Sequence, residues 1–190
     1  MEEKDEEELV TRWRDAASLA RPFEGVTFRS CAPRYAKEPD ILRGEGSRRF
    51  GGRWNPIGLA ALYMSLTPEV AMAETLAHHR YYGLKVETAM PRVFVAIEVG
   101  LRSVVDLRSP MVLRRLGLVT RELSHVDWRR EMRMGRVPRT HAVGVAVHAA
   151  GCEGVVVPSA VTKGHNLVVF PDRLVAPSFV RLHTMDRGPC

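Results

Sequence analysis

The order of hydrophobic and polar positions along the chain predicts a series of short strands. The clearest one covers residues 92–99, where Val93, Val95, Ile97 and Val99 alternate with residues that would face the other side of a sheet. Shorter apolar runs predict further strands at 26–30, 59–64, 103–107, 155–158, 167–170 and 179–183. Several of these runs have no polar residue, which is typical of strands buried on both faces.

Helices are predicted where apolar residues recur three and four positions apart. This spacing predicts an amphipathic helix over 6–20 within an acidic N-terminal segment, 1–22. Thr67 followed by Pro68 predicts an N-cap and the first residue of another helix. Further helices are predicted at 110–117, 120–133 and 139–150. Strands and helices do not alternate regularly, so we predict an α+β fold, with a mixed β-sheet core and flanking helices.

Composition and length indicate one globular domain spanning 1–190. The chain is 45% hydrophobic and 26% charged, which is ordinary for such a domain. No apolar run reaches the roughly 18 residues of a transmembrane helix, and residues 1–8 are acidic where a signal peptide would be basic. We therefore expect a cytoplasmic protein with no membrane partner. Cys31, Cys152 and Cys190 are odd in number and scattered, which indicates reduced thiols.

Charge is distributed unevenly, although the formal net charge is only +6. Eight arginines but three acidic residues lie between Arg114 and Arg139, whereas residues 2–8 are strongly acidic. Patches of opposite sign suggest docking surfaces for a partner protein or between copies of the chain, and a solvated helix face is the alternative. Nucleic-acid binding by Arg129, Arg130 and Arg133 is a rival interpretation, which we do not favour for this chain alone.

The segment from Gly44 to Glu74 has the highest density of candidate functional residues. Its first ten residues, 44–53, combine four glycines with three arginines, including Arg53, in a loop suited to phosphate. On the helix that follows, Glu74 falls on one stripe with Val70, Ala77 and Tyr81, so its carboxylate should point inward. A buried carboxylate must either meet an arginine in an ion pair or line a cleft.

Other motifs in the chain are excluded by their spacing. The glycines after Gly44 lack the third glycine of a dinucleotide-binding fingerprint, and no P-loop lysine follows. His78 and His79 could ligate a metal with Glu74, but no third ligand is evident, so we expect no metal. Trp54 and Trp128 are interpreted as core residues.

Five residues from distant segments remain as a candidate site: Arg29, Arg53, Tyr63, Glu74 and Ser159. Two arginines can neutralise a pyrophosphate and a tyrosine can stack on a flat heterocycle. A carboxylate can bind a ribose and stabilise a cationic glycosyl centre. Cleavage of the N-glycosidic bond to nicotinamide would need these groups together.

The sequences around these residues resemble the RES-domain family over about residues 25–172. The resemblance lies in Phe28-Arg29, the block GGRWNP at 51–56, LYMS at 62–65, Glu74, and VPS at 157–159 followed by NLVVFP at 166–171. The Arg, Glu and Ser for which the family is named would be Arg29, Glu74 and Ser159.

The resemblance implies an ADP-ribosyltransferase-like fold and an NAD-degrading toxin of a bacterial type II toxin–antitoxin system, acting as a glycohydrolase or a phosphorylase. An Xre-like antitoxin would cover the cleft. Arg29 and Arg53 would hold the NAD phosphates, Tyr63 would pack on nicotinamide, and Glu74 would stabilise the oxocarbenium-like transition state. Ser159 would orient the ligand or Glu74. Transfer of ADP-ribose to a macromolecule is the alternative activity.

Overall fold

The structure is a computed structural model that describes residues 13, 16–83, 85 and 92–183. Most of the helix predicted at 6–20 lies outside the described residues, as does Cys190. Within them, Trp13 is helical and a short helix, α1, covers Ala16–Leu19. Cys31 and Cys152 are buried free thiols.

The described elements are the strands of one sheet and the helices that pack around it. Their bounds, in chain order, are β1 Arg21–Cys31, α2 Glu45–Phe50, β2 Leu62–Ser65, α3 Pro68–Tyr81, β3 Val93–Asp106, α4 Pro110–Arg115, α5 Thr120–His125, α6 Trp128–Arg133, α7 Arg139–Ala149, β4 Gly154–Pro158, β5 His165–Val169 and β6 Phe179–Leu182. Short 3-10 turns lie at Pro33–Tyr35, Asp40–Leu42 and Pro171–Arg173.

The six strands form one sheet in the order β1-β2-β5-β4-β3-β6, and β1 also pairs with β3. This additional pairing closes β1, β2, β5, β4 and β3 into a ring. The β3–β4 pairing is parallel and the other pairings are antiparallel. The mixed sheet with flanking helices confirms the predicted α+β class.

The alternation of side chains along each strand builds two cores, one on each face of the sheet. On β4, Val155 and Val157 join the core that contains Trp54 and the helices, while Val156 joins the core on the other face. β2 does the same: Leu62 and Met64 face the second core, and Tyr63 packs against the first. Trp54 and Trp128 are buried, as predicted.

The boundaries of several predicted strands are wrong. The strand expected at 59–64 is Leu62–Ser65, the four residues that pair with β5. The strand expected at 26–30 covers Arg21–Cys31, because β1 pairs with β3 along almost its whole length. The strands expected at 92–99 and 103–107 are one strand, Val93–Asp106. β3 can continue because β1, β4 and β6 each supply hydrogen-bond partners to part of it.

Two predictions about helices also need correction. The helix expected at 120–133 is two helices, because the Asp127 side chain accepts a hydrogen bond from the backbone N–H of Arg130, at 3.0 Å, and starts a new helix there. The glycine-rich loop expected after Gly44 contains a helix, α2. Capping hydrogen bonds and tertiary contacts determine where these helices begin and end, and the spacing of hydrophobic residues does not predict such contacts.

Candidate active site

Glu74 lies on α3, which begins as the sequence predicts. The Thr67 side chain accepts a hydrogen bond from the backbone N–H of Val70, at 3.3 Å, and Pro68 occupies the first helical position. The Glu74 side chain is half-buried, and its Oε1 accepts hydrogen bonds from Ser159 Oγ at 2.8 Å and from Asn166 Nδ2 at 2.7 Å. Among the described residues, no arginine or lysine forms an ion pair with it. Neutral donors therefore hold this carboxylate.

Ser159 is a donor to Glu74 whose direction is fixed by its own loop. The side chain is buried, and Oγ accepts hydrogen bonds from the backbone N–H groups of Val161, at 3.2 Å, and Thr162, at 3.3 Å. Because these donors approach the oxygen lone pairs, the hydroxyl proton is left to point at Glu74.

A close approach of the same loop to α3 requires a glycine. Gly164 has a φ of +145°, and a Cβ there would collide with the side chain of Val70. The Gly164 carbonyl also accepts a hydrogen bond from the Ser159 backbone N–H, at 2.9 Å. The loop can therefore lie against the turn of α3 that precedes Glu74.

Asn166 is a site residue that the sequence reasoning missed. It opens β5 opposite Ser65 on β2, and Ser65 Oγ donates to Asn166 Oδ1 at 2.7 Å. A hydroxyl bound to the amide oxygen leaves the amide nitrogen facing Glu74. Its sequence signals were its place at the head of the NLVVFP block of the family resemblance and the apolar run that follows it.

Arg29 lies on β1 and is bound to the backbone of β2. Its Nη1 donates to the Tyr63 carbonyl at 2.9 Å, while its Nε is enclosed with no hydrogen-bond partner. Burial lowers the pKa of Arg29; the nearby Cys31 raises it slightly, and Arg92 lowers it further. Part of the side chain remains accessible. Arg29 is therefore tied to the backbone of Tyr63, and no hydrogen bond or ion pair among the described residues links it to Glu74.

Tyr63 anchors the segment that carries Arg53. Its hydroxyl donates to Asn55 Oδ1 at 2.7 Å and accepts from the Trp54 backbone N–H at 2.8 Å. Gly52 lies so close that a Cβ there would collide with this hydroxyl. Burial raises the pKa of Tyr63 far above its ordinary value, so the phenol stays neutral. A neutral phenol is the form that can donate to Asn55.

Arg53 is held by backbone carbonyls of the segment between α5 and α6. Its Nη1 donates to Val126 O at 2.8 Å and reaches Leu123 O at 3.5 Å. Burial lowers the pKa of Arg53, the negative charge of Glu74 raises it, and the neighbouring Arg129 lowers it. The structure therefore brings Glu74 together with Ser159 and places Arg53 in the field of Glu74.

The described residues contain no group of three or more His, Cys, Asp or Glu side chains that could hold a metal ion. His79 Nδ1 lies 2.9 Å from the Thr75 carbonyl, and His78 packs edge-on against Tyr82. Within the part of the chain that the structure describes, no helix combines the length and apolar character needed to span a membrane.

A groove of about 620 Å³ runs along a different face of α3 from Glu74. Its lining includes Met72, Leu76, Phe94 and Val161. None of the five predicted site residues lines it, so the candidate chemistry and this groove are separate features.

Two kinds of known protein are similar to this chain in sequence. The chain is similar to the NAD(+) phosphorylase MbcT of Mycobacterium tuberculosis (strain ATCC 25618 / H37Rv), with 33% identity over 122 residues. That alignment covers 62% of this chain and just under two thirds, 66%, of the relative. The Prs ADP-ribosylating toxin of Sphingobium sp. (strain YBL2) is 36% identical over 62 residues, or 33% of this chain and 38% of the toxin.

Among solved structures, the fold matches the crystal structure of the M. tuberculosis MbcT–MbcA toxin–antitoxin complex. The TM-score is 0.71 at 25% sequence identity, with 93% of this chain and 89% of the matched chain covered. The RES domain family model matches residues 26–186. Strands β2 to β6, the second half of β1, the polar contacts of Glu74 and the GGRWNP segment lie within that range, and the chain belongs to the RES domain family.

Proposed function

We propose that this protein is an NAD-degrading enzyme that cleaves the bond between nicotinamide and ribose, as a phosphorylase or a glycohydrolase. The observation that carries the proposal is the half-buried carboxylate of Glu74, held by Ser159 and Asn166 in the field of Arg53. The similarity to an NAD(+) phosphorylase over 122 residues supports the same activity.

The hydrogen bonds of Glu74 leave one oxygen for the substrate. Ser159 and Asn166 both donate to Oε1, and none of the described residues donates to Oε2. Neutral donors orient the carboxylate without cancelling its charge. Oε2 can then bind the nicotinamide ribose and stabilise positive charge as it develops at the anomeric carbon.

The reaction breaks one bond and forms one. The electron pair of the glycosidic bond leaves with the nicotinamide nitrogen, which becomes neutral, and an acceptor oxygen attacks the anomeric carbon. Water yields ADP-ribose and a proton, while inorganic phosphate yields ADP-ribose 1-phosphate. Glu74 acts on the transition state that both reactions share, and the acceptor determines the product.

Arg29 and Arg53 are the proposed ligands of the NAD phosphates. Each guanidinium is fixed by a backbone carbonyl, so each keeps its positive charge available to an anion. Stacking of Tyr63 on nicotinamide stays a prediction. The contacts of its hydroxyl support a further role, which is to hold the segment that presents Arg53.

The direct experiment measures nicotinamide release from NAD by the purified protein, with and without inorganic phosphate. We expect release by the wild type and almost none by Glu74→Ala. Glu69→Ala is the matched control, because Glu69 is an exposed carboxylate on the same helix. Absence of release by the wild type, or equal release by Glu74→Ala, would contradict the proposal. The product formed in phosphate buffer distinguishes phosphorolysis from hydrolysis.

Transfer of ADP-ribose to a macromolecule is the second candidate, and the similarity to the Prs ADP-ribosylating toxin favours it. Labelled NAD added to a cell lysate separates the two. Label on protein or nucleic acid indicates transfer, whereas label confined to small products indicates phosphorolysis or hydrolysis.

We further propose that the protein is the toxin of a toxin–antitoxin pair, with an Xre-like antitoxin that covers the cleft. The matched crystal structure is a toxin–antitoxin complex, which supports a partner of this kind. Co-expression with the product of the adjacent reading frame should yield a stable complex and suppress nicotinamide release. Free enzyme activity in that complex would contradict the proposal.

A further inference from the structure

A second arginine, Arg129, lies beside Arg53 and is held in an unusual way. Its guanidinium carbon lies 4.2 Å from the ring centre of Tyr81 and 4.3 Å from that of Trp128, with Tyr82 at 5.9 Å. The side chain is half-buried, and Arg133 Nη1 donates to the Tyr81 hydroxyl at 3.2 Å. The rings of Tyr81 and Trp128 therefore hold the guanidinium of Arg129 in place.

Stacking uses the faces of a guanidinium and leaves its edge free. The five N–H donors of arginine lie in the plane of the group, so rings above or below do not satisfy them. Among the described residues, none accepts a hydrogen bond from the Arg129 side chain, and none forms an ion pair with it. Both described hydrogen bonds of the Arg53 side chain come from Nη1, so its Nε and Nη2 also have no acceptor among the described residues.

The two arginines belong to one cationic region. Arg53 is bound to the carbonyl of Val126, three residues before Arg129. The positive charge of Arg129 lowers the pKa of Arg53, and it also contributes to the lowered pKa of His78, where burial is the larger cause. His78 lies one helical turn after Glu74 on α3. The cationic region thus contacts α3, the helix that carries the proposed catalytic carboxylate, through Tyr81.

We propose that Arg53 and Arg129 together form a binding site for a phosphate group. The free edges of two fixed guanidinium groups provide the paired in-plane donors that a phosphate accepts. The source of the phosphate rests on the proposed function: the diphosphate of NAD or inorganic phosphate as the acceptor. This site gives Arg129 a function that the excess of arginines between residues 114 and 139 did not reveal.

Calorimetric titration of the full chain tests the site without relying on catalysis. The probes are ADP-ribose, inorganic phosphate and adenosine, which lacks phosphate. We expect Arg129→Gln to weaken binding of the phosphate-containing probe by about tenfold to a hundredfold, the range of lost charge-assisted hydrogen bonds, and to leave adenosine unchanged. Arg130→Gln, an exposed neighbour on α6, should bind like the wild type.

The probes also identify the source of the phosphate. Weaker binding of ADP-ribose assigns the site to the diphosphate of NAD, whereas weaker binding of inorganic phosphate alone assigns it to the acceptor. Wild-type affinity of Arg129→Gln for both probes would overturn the site, as would an equal loss in Arg130→Gln or the absence of binding by the wild type. If Arg129→Gln does not fold, Arg129→Lys is used instead, because lysine keeps the positive charge but lacks the planar donors. Wild-type affinity of Arg129→Lys for both phosphate-containing probes would overturn the site.

The same proteins separate this site from the proposed enzyme activity. If Arg129→Gln loses ADP-ribose binding and the wild type releases no nicotinamide, the phosphate site is supported and the NAD-cleaving function is contradicted. If the wild type releases nicotinamide and Arg129→Gln binds ADP-ribose like the wild type, the NAD-cleaving function is supported and the phosphate site is overturned.

Discussion

The acidic side and the cationic side of the proposed cleft are held by different kinds of contact. The acidic side is Glu74 with Ser159 and Asn166, where neutral side chains donate to one carboxylate oxygen. The cationic side is Arg53 with Arg129, where backbone carbonyls and aromatic rings hold the guanidinium groups.

Charged side chains at the surface of the same molecule form direct ion pairs, unlike those of the proposed cleft. Arg48 pairs directly with Glu45 at 2.8 Å, and Arg108 pairs with Asp106 at 2.7 Å. In the cleft, by contrast, no ion pair among the described residues involves Glu74, Arg53 or Arg129. A direct ion pair would satisfy each charge within the protein, whereas neutral contacts fix the positions and leave both charges to act on a ligand.

Removing the charge of Glu74 while keeping its shape should have the largest effect. In Glu74→Gln the side-chain carbonyl can still accept from Ser159 and Asn166, so the cleft keeps its form. We expect kcat for nicotinamide release to fall about a thousandfold with little change in KM, because the charge acts mainly on the transition state. Steady-state kinetics over a range of NAD concentrations measures both. A large rise in KM with kcat unchanged would show that the acidic side serves binding alone.

Removing the neutral donors should have the next largest effect. Ser159→Ala and Asn166→Ala each leave one donor on Oε1, so we expect each to lower kcat about tenfold, as misplacement of a catalytic group does. The double variant should lose more than either single variant, and a double-mutant cycle gives the coupling. Ser65→Ala, which removes the bond that orients Asn166 and keeps the Asn166 amide, should have a smaller effect than Asn166→Ala. Wild-type rates in the double variant would show that these donors do not position Glu74.

Tyr63→Phe tests how the cationic side is anchored. The change leaves the Trp54 N–H and Asn55 Oδ1 without their partner, and we expect about 1–3 kcal/mol lower free energy of unfolding. Urea unfolding of Tyr63→Phe and of Tyr35→Phe, an exposed tyrosine, measures the difference. A fall in kcat without loss of stability would instead indicate that the hydroxyl contacts the substrate.

Sequence patterns predicted the structural features that are determined by residues close together in the chain. The start of α3 at Thr67 and Pro68 is local chemistry, and the alternation in β3 reports the one face that it buries. The combination of Glu74 with Ser159 came from the family resemblance. The hydrogen bond between them spans 85 positions and depends on how the loop after β4 lies against α3.

The remaining contacts could not be read from the chain. Asn166 reaches Glu74 because β5 pairs with β2, a register that no short-range pattern encodes. The bond from Arg29 to the Tyr63 carbonyl depends on backbone geometry and is independent of the tyrosine side chain. Arg129 appeared as one of eight similar arginines, and only the rings around it distinguish it from the others.

The smallest predicted effect is a pH dependence on the cationic side. His141 is buried, and its Nε2 lies 2.7 Å from the carbonyl of Gly52, the residue before Arg53, so the neutral ring donates from Nε2. Burial lowers the pKa of His141, and the Gly52 bond and Glu131 oppose this only in part. The unfolded chain therefore takes up this proton first, and stability falls as the pH drops below about 6.5, the ordinary histidine value.

In His141→Gln this contribution should disappear, so its free energy of unfolding should decrease less than that of the wild type between about pH 7.5 and pH 5. His78 and His165, whose pKa values burial also lowers, remain in both proteins and cancel in the comparison. Urea unfolding at both pH values provides the measurement, and His125→Gln is the control because His125 is exposed. An equal decrease in His141→Gln and the wild type would mean that the protonation of His141, and with it the loss of the Gly52 contact, does not contribute to the pH dependence of stability.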